Sequence, residues 1–319
     1  MIFDDIGSFP LPYGITRDWI ECNLRTKEYE ELVKRTFLMK SKYVELPNYP
    51  QFRDMISMFM NLIKNPEFQD EPYLISKKYA IIPELEYVER LEAKSVRVCI
   101  TGAFELYYNE FGGVIYEDIL LNLAESVARF AKNACKYENV KCISLDEPSL
   151  GIATDLQPSD EVIRDVFNTV DVKVDVQIHL HQPTFYEKIL ETSVDVIGVE
   201  CASKPENMDF LDKELIDSHE KKLRIGIART DIDNVIAEFN AKHNVNAWKN
   251  DELIVKAVDE IESPEVILKR IENAYNKFND LIAYVGPDCG LFSFPNQESA
   301  IQLLKNVKVA LERFREWIT

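Results

Sequence analysis

The feature that most constrains this chain is alternation. Short runs rich in β-branched and apolar residues recur along its 319 residues, most of them followed by sequence with helical periodicity. Eight runs read as strands: residues 2–8, 42–46, 95–102, 140–146, 172–181, 194–201, 223–229 and 281–287. Several are mostly apolar, such as Val-Asp-Val-Ile-Gly-Val at 194–199, which is how strands covered on both faces read. Between them, 116–136 carries Ile119, Leu120, Leu123, Val127, Phe130 and Ala131 on one stripe. Residues 18–39 read as one long helix, Ser263-Pro264-Glu265 as a capped helix start, and 297–317 as a closing amphipathic helix. Eight strands alternating with helices predict an α/β fold of the (β/α)8 TIM-barrel type, with an open doubly wound sheet as the competing architecture. One barrel spans 1–319, with insertions near 47–73 and 233–262, both after strand C-terminal ends, where barrel enzymes build their sites.

Composition narrows the partners. With 46% apolar and 29% charged residues the chain is suited to a packed core. The 37 basic against 55 acidic residues leave a net charge of −18, which repels nucleic-acid backbones and anionic membrane surfaces. No apolar run approaches the roughly 20 residues of a membrane helix. The opening Met1-Ile2-Phe3-Asp4-Asp5 lacks a basic leader, so a cytoplasmic location is expected. Six cysteines without a Cys-x-x-Cys pair are expected to be reduced thiols, one of them a candidate metal ligand.

In a barrel the chemistry sits at the strand C-terminal ends. Those ends read Ile6-Gly7-Ser8-Phe9-Pro10, Asp146-Glu147-Pro148, His179-Leu180-His181, Glu200-Cys201 and Pro287-Asp288-Cys289-Gly290. His179 and His181, two of only four histidines, are spaced i, i+2 and point the same way on a strand. Two imidazoles, the Glu200 carboxylate and the Cys289 sulfur make a tetrahedral zinc set. The plainer reading is a satisfied histidine pair beside a core cysteine. Asp146 reads as an anchor for an ammonium group or as a strand exit, and Glu147 as structural. Arg229 and Asp231 read as an ion pair or a donor contact. Residues 47–52 with Met55, Met58, Phe59 and Met60 read as a soft lid over a flat cofactor, or as ordinary helix packing. Cys201 reads as core, and His219 and His243 as surface residues.

Taken in order, Ile6-Gly7-Ser8-Phe9-Pro10, Asp146-Glu147-Pro148, His179-x-His181, Glu200-x-x-Ser203 and Pro287-Asp288-Cys289-Gly290-Leu291 resemble the catalytic domain of cobalamin-independent methionine synthase, in its short single-barrel archaeal form. The resemblance runs from residue 4 to 292. It implies a cytoplasmic zinc-dependent methyltransferase that methylates the thiol of homocysteine in methionine biosynthesis. It implies zinc on His179, His181, Glu200 and Cys289, and the amino-acid end of homocysteine on Ile6, Gly7, Ser8 and Asp146, with Glu45 as a further substrate contact. The chain departs from that pattern in several places. The family has cysteine where His181 stands. Its folate-contacting glutamate is replaced by Ile152, and no folate-tail pieces follow Thr101-Gly102. Its histidine after strand seven is missing from Gly226-Ile227-Ala228-Arg229-Thr230-Asp231. A ligand set with one cysteine rather than two carries one negative charge fewer, which acidifies a bound thiol more and leaves it less nucleophilic. That suits a reactive methyl donor, a methyl-corrinoid on a partner protein or a methyl-pterin. Two alternatives are transfer to another small thiol such as coenzyme M, and a non-catalytic corrinoid- or metal-binding barrel.

Overall fold

The computed structural model describes residues 1–318. Its centre is a curled, all-parallel sheet of seven strands. In chain order the strands are β1 (Ile2–Phe3), β4 (Val96–Thr101), β5 (Val140–Asp146), β6 (Asp175–Leu180), β7 (Val196–Val199), β8 (Lys222–Ala228) and β9 (Ile282–Pro287), in the spatial order β1-β9-β8-β7-β6-β5-β4. A small antiparallel hairpin, β2 (Gln69–Glu71) and β3 (Leu74–Ile75), lies apart from it. The strands of the main sheet are almost entirely buried, as their apolar runs require, with helices packed outside them. This is the expected barrel class.

The stave between β1 and β4 differs from the sequence reading. Residues 42–46 do not form a strand: the helix Lys27–Lys40 ends in a turn, and the wall is closed instead by residues 46–51. That segment pairs singly, Asp4 with Leu46 and Ser8 with Gln51 on one side and Asn48 with Arg97 on the other. The cause is local: Pro47 and Pro50 have no N–H to donate, so no continuous ladder can form. Side chains replace the missing rungs. The Asn48 N–H donates to Asp5 Oδ1 (2.8 Å), the Cys99 N–H donates to Asn48 Oδ1 (2.8 Å), and Lys40 Nζ donates to the Asn48 carbonyl (2.9 Å) while pairing with Asp5 (2.6 Å).

The expected long helix at 18–39 is two helices, Arg17–Asn23 and Lys27–Lys40, because the Thr26 hydroxyl caps a new start by accepting from the Tyr29 N–H. The insertion after β8 consists of the helices Ile232–His243 and Asp251–Ile261. Ser263 caps Pro264–Phe278 as read, and Gln297–Ile318 closes the chain. Below the mouth the barrel interior is charged: Asp4 bridges Arg224 Nε (2.9 Å) and Arg97 Nε (3.3 Å), and all three are fully buried. No helix among the described residues is long and apolar enough to cross a membrane.

Candidate metal centre at the barrel mouth

His179 sits at the end of β6, in register with Asp146 of β5 and Gly198 of β7. His181 follows one pleat later, and the two rings stand edge to face with centroids 5.3 Å apart. Glu200 lies just past β7 and Cys289 just past β9. One ligand atom from each of His179, His181, Glu200 and Cys289 falls within 4.8 Å of all the others. His181 Nε2 is 3.3 Å from Glu200 Oε1 and 3.6 Å from Cys289 Sγ. Tetrahedral bonds of zinc to nitrogen, oxygen and sulfur put such neighbours about 3.3 and about 3.6 Å apart.

The strongest sign that the cluster is built to hold a metal is His179. It is 2% exposed, and neither ring nitrogen has a hydrogen-bond partner among the described residues. A buried imidazole with both nitrogens unpaired is costly in any protein that does not use it. The electrostatics agree. Burial pushes His179 well below the usual histidine range, with His181 and the interior arginines adding to the effect. Burial and Lys204 bring His181 down to about 4. Both imidazoles are therefore neutral at pH 7, the form that ligates a metal. Burial, then Asp288, pushes Glu200 up to about 7, although Lys204 Nζ lies 3.2 Å from its Oε2. Burial, then Glu200, pushes the Cys289 thiol up to about 12. Each of these costs is relieved by a divalent cation, so the donor set fits zinc.

Asp288 holds the centre in shape. Its Oδ1 accepts from the N–H groups of Cys201 (3.0 Å) and Ala202 (2.9 Å), and its Oδ2 from the N–H (2.7 Å) and hydroxyl (2.7 Å) of Ser203. One side chain next to Cys289 thereby pins the loop that begins at Glu200. Room for it comes from Gly226, where a Cβ would overlap the Asp288 carboxylate. The sequence offers Ser203 and the Pro-Asp-Cys-Gly run, but nothing in it ties Asp288 to Ser203.

A cavity of about 260 Å³ opens beside the cluster, lined by Ile6, Ser8 and Asp146 together with His179, His181 and Cys289. Asp146 is buried and accepts from Ser144 Oγ (2.8 Å), and burial raises its carboxyl above the ordinary range. The Ser8 N–H has no partner among the described residues, whereas its carbonyl accepts from the Leu291 N–H (2.8 Å). Gly7 is not in the lining. Its N–H donates to Cys99 Sγ (3.1 Å), and a Cβ there would overlap Gln51. Glu45 lies elsewhere altogether. It pairs with Arg315 (2.6 Å) and accepts from the Phe3 N–H (2.9 Å) beside β1, outside the lining of this cavity. The turn that displaces the expected second strand carries Glu45 away from the mouth.

Glu147 is structural: its carboxylate accepts from the N–H groups of Phe104 (3.1 Å) and Glu105 (2.7 Å) at the start of the helix Ala103–Phe111. Met58, Phe59 and Met60 are buried in the helix Ser57–Ile63 as packing, and of the expected lid Gln51 and Met55 reach the cavity. Arg229 and Asp231 form an ion pair (3.0 Å). Arg53, Arg17 and Phe292 also line the cavity, and sequence reasoning does not single them out. Arg53 is the one cation in the stretch Tyr49–Phe59, which is the signal that could have found it.

No protein-family model matches the chain, and no curated protein sequence matches it. Solved structures do. A B12-independent methionine synthase from Shewanella sp. W3-18-1, in complex with selenomethionine, aligns over 99% of this chain and 98% of that one, at 12% identity and a TM-score of 0.66. A methyltransferase from Methanosarcina mazei aligns over 99% and 95%, at 10% identity and a TM-score of 0.54. At this identity the likeness establishes a shared barrel fold, and that fold is the one adopted by the family whose motifs the sequence resembles.

Proposed function

We propose that this chain is a zinc-dependent methyltransferase that moves a methyl group onto the thiol of homocysteine, giving methionine. The observation that carries the proposal is the convergence of His179, His181, Glu200 and Cys289 at ligand spacing, beside a cavity that also holds Asp146. Those four residues would hold the metal. Zinc bound there would keep a substrate thiol in its thiolate form at neutral pH.

The remaining steps belong to the chain's own groups. Asp146 receives the ammonium of the amino acid as a fixed carboxylate. The Ser8 N–H donates to one oxygen of its carboxylate. Ile6, Met55 and Phe292 cover the carbon chain and keep water from the sulfur. Holding the sulfur in line with the donor supplies much of the rate, and the donor–methyl bond breaks as the carbon–sulfur bond forms. The neutral His181 favours a reactive donor, so a methyl-corrinoid is preferred over a folate, with a methyl-pterin as the other donor class.

The test is a methyl-transfer assay on zinc-loaded protein with homocysteine and, in turn, methylcobalamin, methyl-folate and methyl-pterin. Methionine formed with methylcobalamin supports the proposal. No methionine with any of the three refutes it. An Asp146→Ala variant that keeps full activity would instead favour a thiol without an amine, such as coenzyme M.

A further inference from the structure

We infer that Arg53 recognises the acid group of the methyl acceptor, so that the site selects small thiols carrying a carboxylate. The inference rests on the thiol-methyltransferase reading above and adds the residue that sets acceptor specificity.

Arg53 follows the proline-interrupted stave and lines the same cavity as Asp146, His179, His181 and Cys289. It is only 6% exposed. Its Nε and Nη2 donate to Glu21 (3.2 and 3.4 Å), which fixes the guanidinium plane. Its Nη1 has no protein partner among the described residues, yet it is not one of the sealed, unpartnered atoms of the interior. A nearly buried arginine with one edge held and one donor left open is a preorganised receptor for an oxyanion. Burial works against its charge, but Glu84 and Glu21 outweigh burial and keep it cationic. Glu21 takes the Nε–Nη2 edge and leaves Nη1 as the donor free to meet an acid group.

The other polar groups of the cavity complete the match. Asp146 offers one buried negative charge, Arg53 one enclosed positive charge, and the His179–His181–Cys289 wall a place for sulfur. A thiol bearing both an ammonium and a carboxylate satisfies all three at once. Arg17 is less suited to hold the acid group, since it is paired with Asp54 (3.6 Å), stacked on the Phe292 ring (4.1 Å) and largely open to solvent.

Cobalt-substituted protein provides a readout that needs no turnover, since a thiol that reaches the metal changes its absorption. Three thiols are titrated: homocysteine, its decarboxylated analogue and its deaminated analogue. Arg53→Gln should weaken homocysteine and the deaminated analogue about 10- to 100-fold, the loss expected for a charge-assisted contact, and should leave the decarboxylated analogue within about twofold. Arg53→Lys should recover part of the loss. Equal weakening of all three thiols would make Arg53 a structural residue and overturn the inference. So would unchanged thiol affinity with a raised KM for the methyl donor, which would assign the acid group to the donor. If Arg53→Gln does not fold, the wild-type series decides, because equal affinity for homocysteine and its decarboxylated analogue overturns the inference. If no thiol perturbs the wild-type cobalt spectrum, the thiol-methyltransferase reading itself fails, a result distinct from these.

Discussion

Replacing Asp288 by asparagine tests whether the centre is held by its surroundings or only by its ligands. The carboxylate accepts four hydrogen bonds, three of them from consecutive backbone N–H groups after Glu200. An asparagine oxygen in the Oδ1 position keeps the Cys201 and Ala202 contacts. Its amide then faces the Ser203 N–H, donor against donor, while the Ser203 hydroxyl can rotate to accept. The loss is one charge-assisted bond and one part-buried donor left facing a donor, about 2–4 kcal/mol. At about 2 °C per kcal/mol for a chain of this size, the melting temperature of the metal-free protein should fall by roughly 4–8 °C. The loop carrying Glu200 should also loosen relative to Cys289, weakening zinc binding about 10- to 100-fold. The assays are thermal unfolding of the metal-free protein and competition for zinc with a chromophoric chelator. A variant that loses stability but binds zinc as tightly as wild type would refute the claim that Asp288 shapes the metal centre.

Other consequences follow from the same geometry. Metal binding must displace the Cys289 proton, and below pH 7 the Glu200 proton as well, while His181 at about 4 is already free. Zinc affinity should therefore rise about 1000-fold from pH 6 to pH 8, about 100-fold from Cys289 and about 10-fold from Glu200. In Glu200→Gln only the 100-fold component should remain, and a pH-independent affinity by chelator competition would contradict both values. His179→Leu removes two unpaired buried nitrogens, so the metal-free protein should gain about 1–3 kcal/mol by denaturant unfolding while zinc binding is lost. A destabilised metal-free variant would mean that His179 has a structural partner. Asp146→Ala should raise the KM for homocysteine at least about 10-fold and leave zinc content unchanged; an unchanged KM would remove Asp146 from the amine site.

The barrel and the four-residue cluster were legible in the sequence for one reason. Both are written in residues whose placement a strand fixes by itself. The i, i+2 spacing of His179 and His181 needs only a pleat, and Glu200 and Cys289 need only to end their strands. What the sequence hid depends on tertiary detail. The second stave was displaced because Pro47 and Pro50 forbid a ladder and Asn48 substitutes for one, a contact between distant segments. Glu45 goes with that displacement, to the wrong end of the barrel. Asp288 looks like a neighbour of a ligand, and its bond to Ser203 spans 85 residues of chain. Arg53 is hidden among aromatic and methionine residues whose periodicity reads as packing, which is what most of them do.

The proline-interrupted stave leaves the cavity with walls of unequal stiffness. Strands β6, β7 and β9, which lead to the four donors, pair with a neighbour on each side over runs of two to five residues. The stretch carrying Gln51 and Arg53 is tacked to its neighbours at single points. With fewer backbone hydrogen bonds along that seam, its amide protons should exchange with solvent before those of the ladders, as hydrogen exchange would show. Traffic in and out of the pocket can use the compliant flank while the rigid flank keeps its four donors in place.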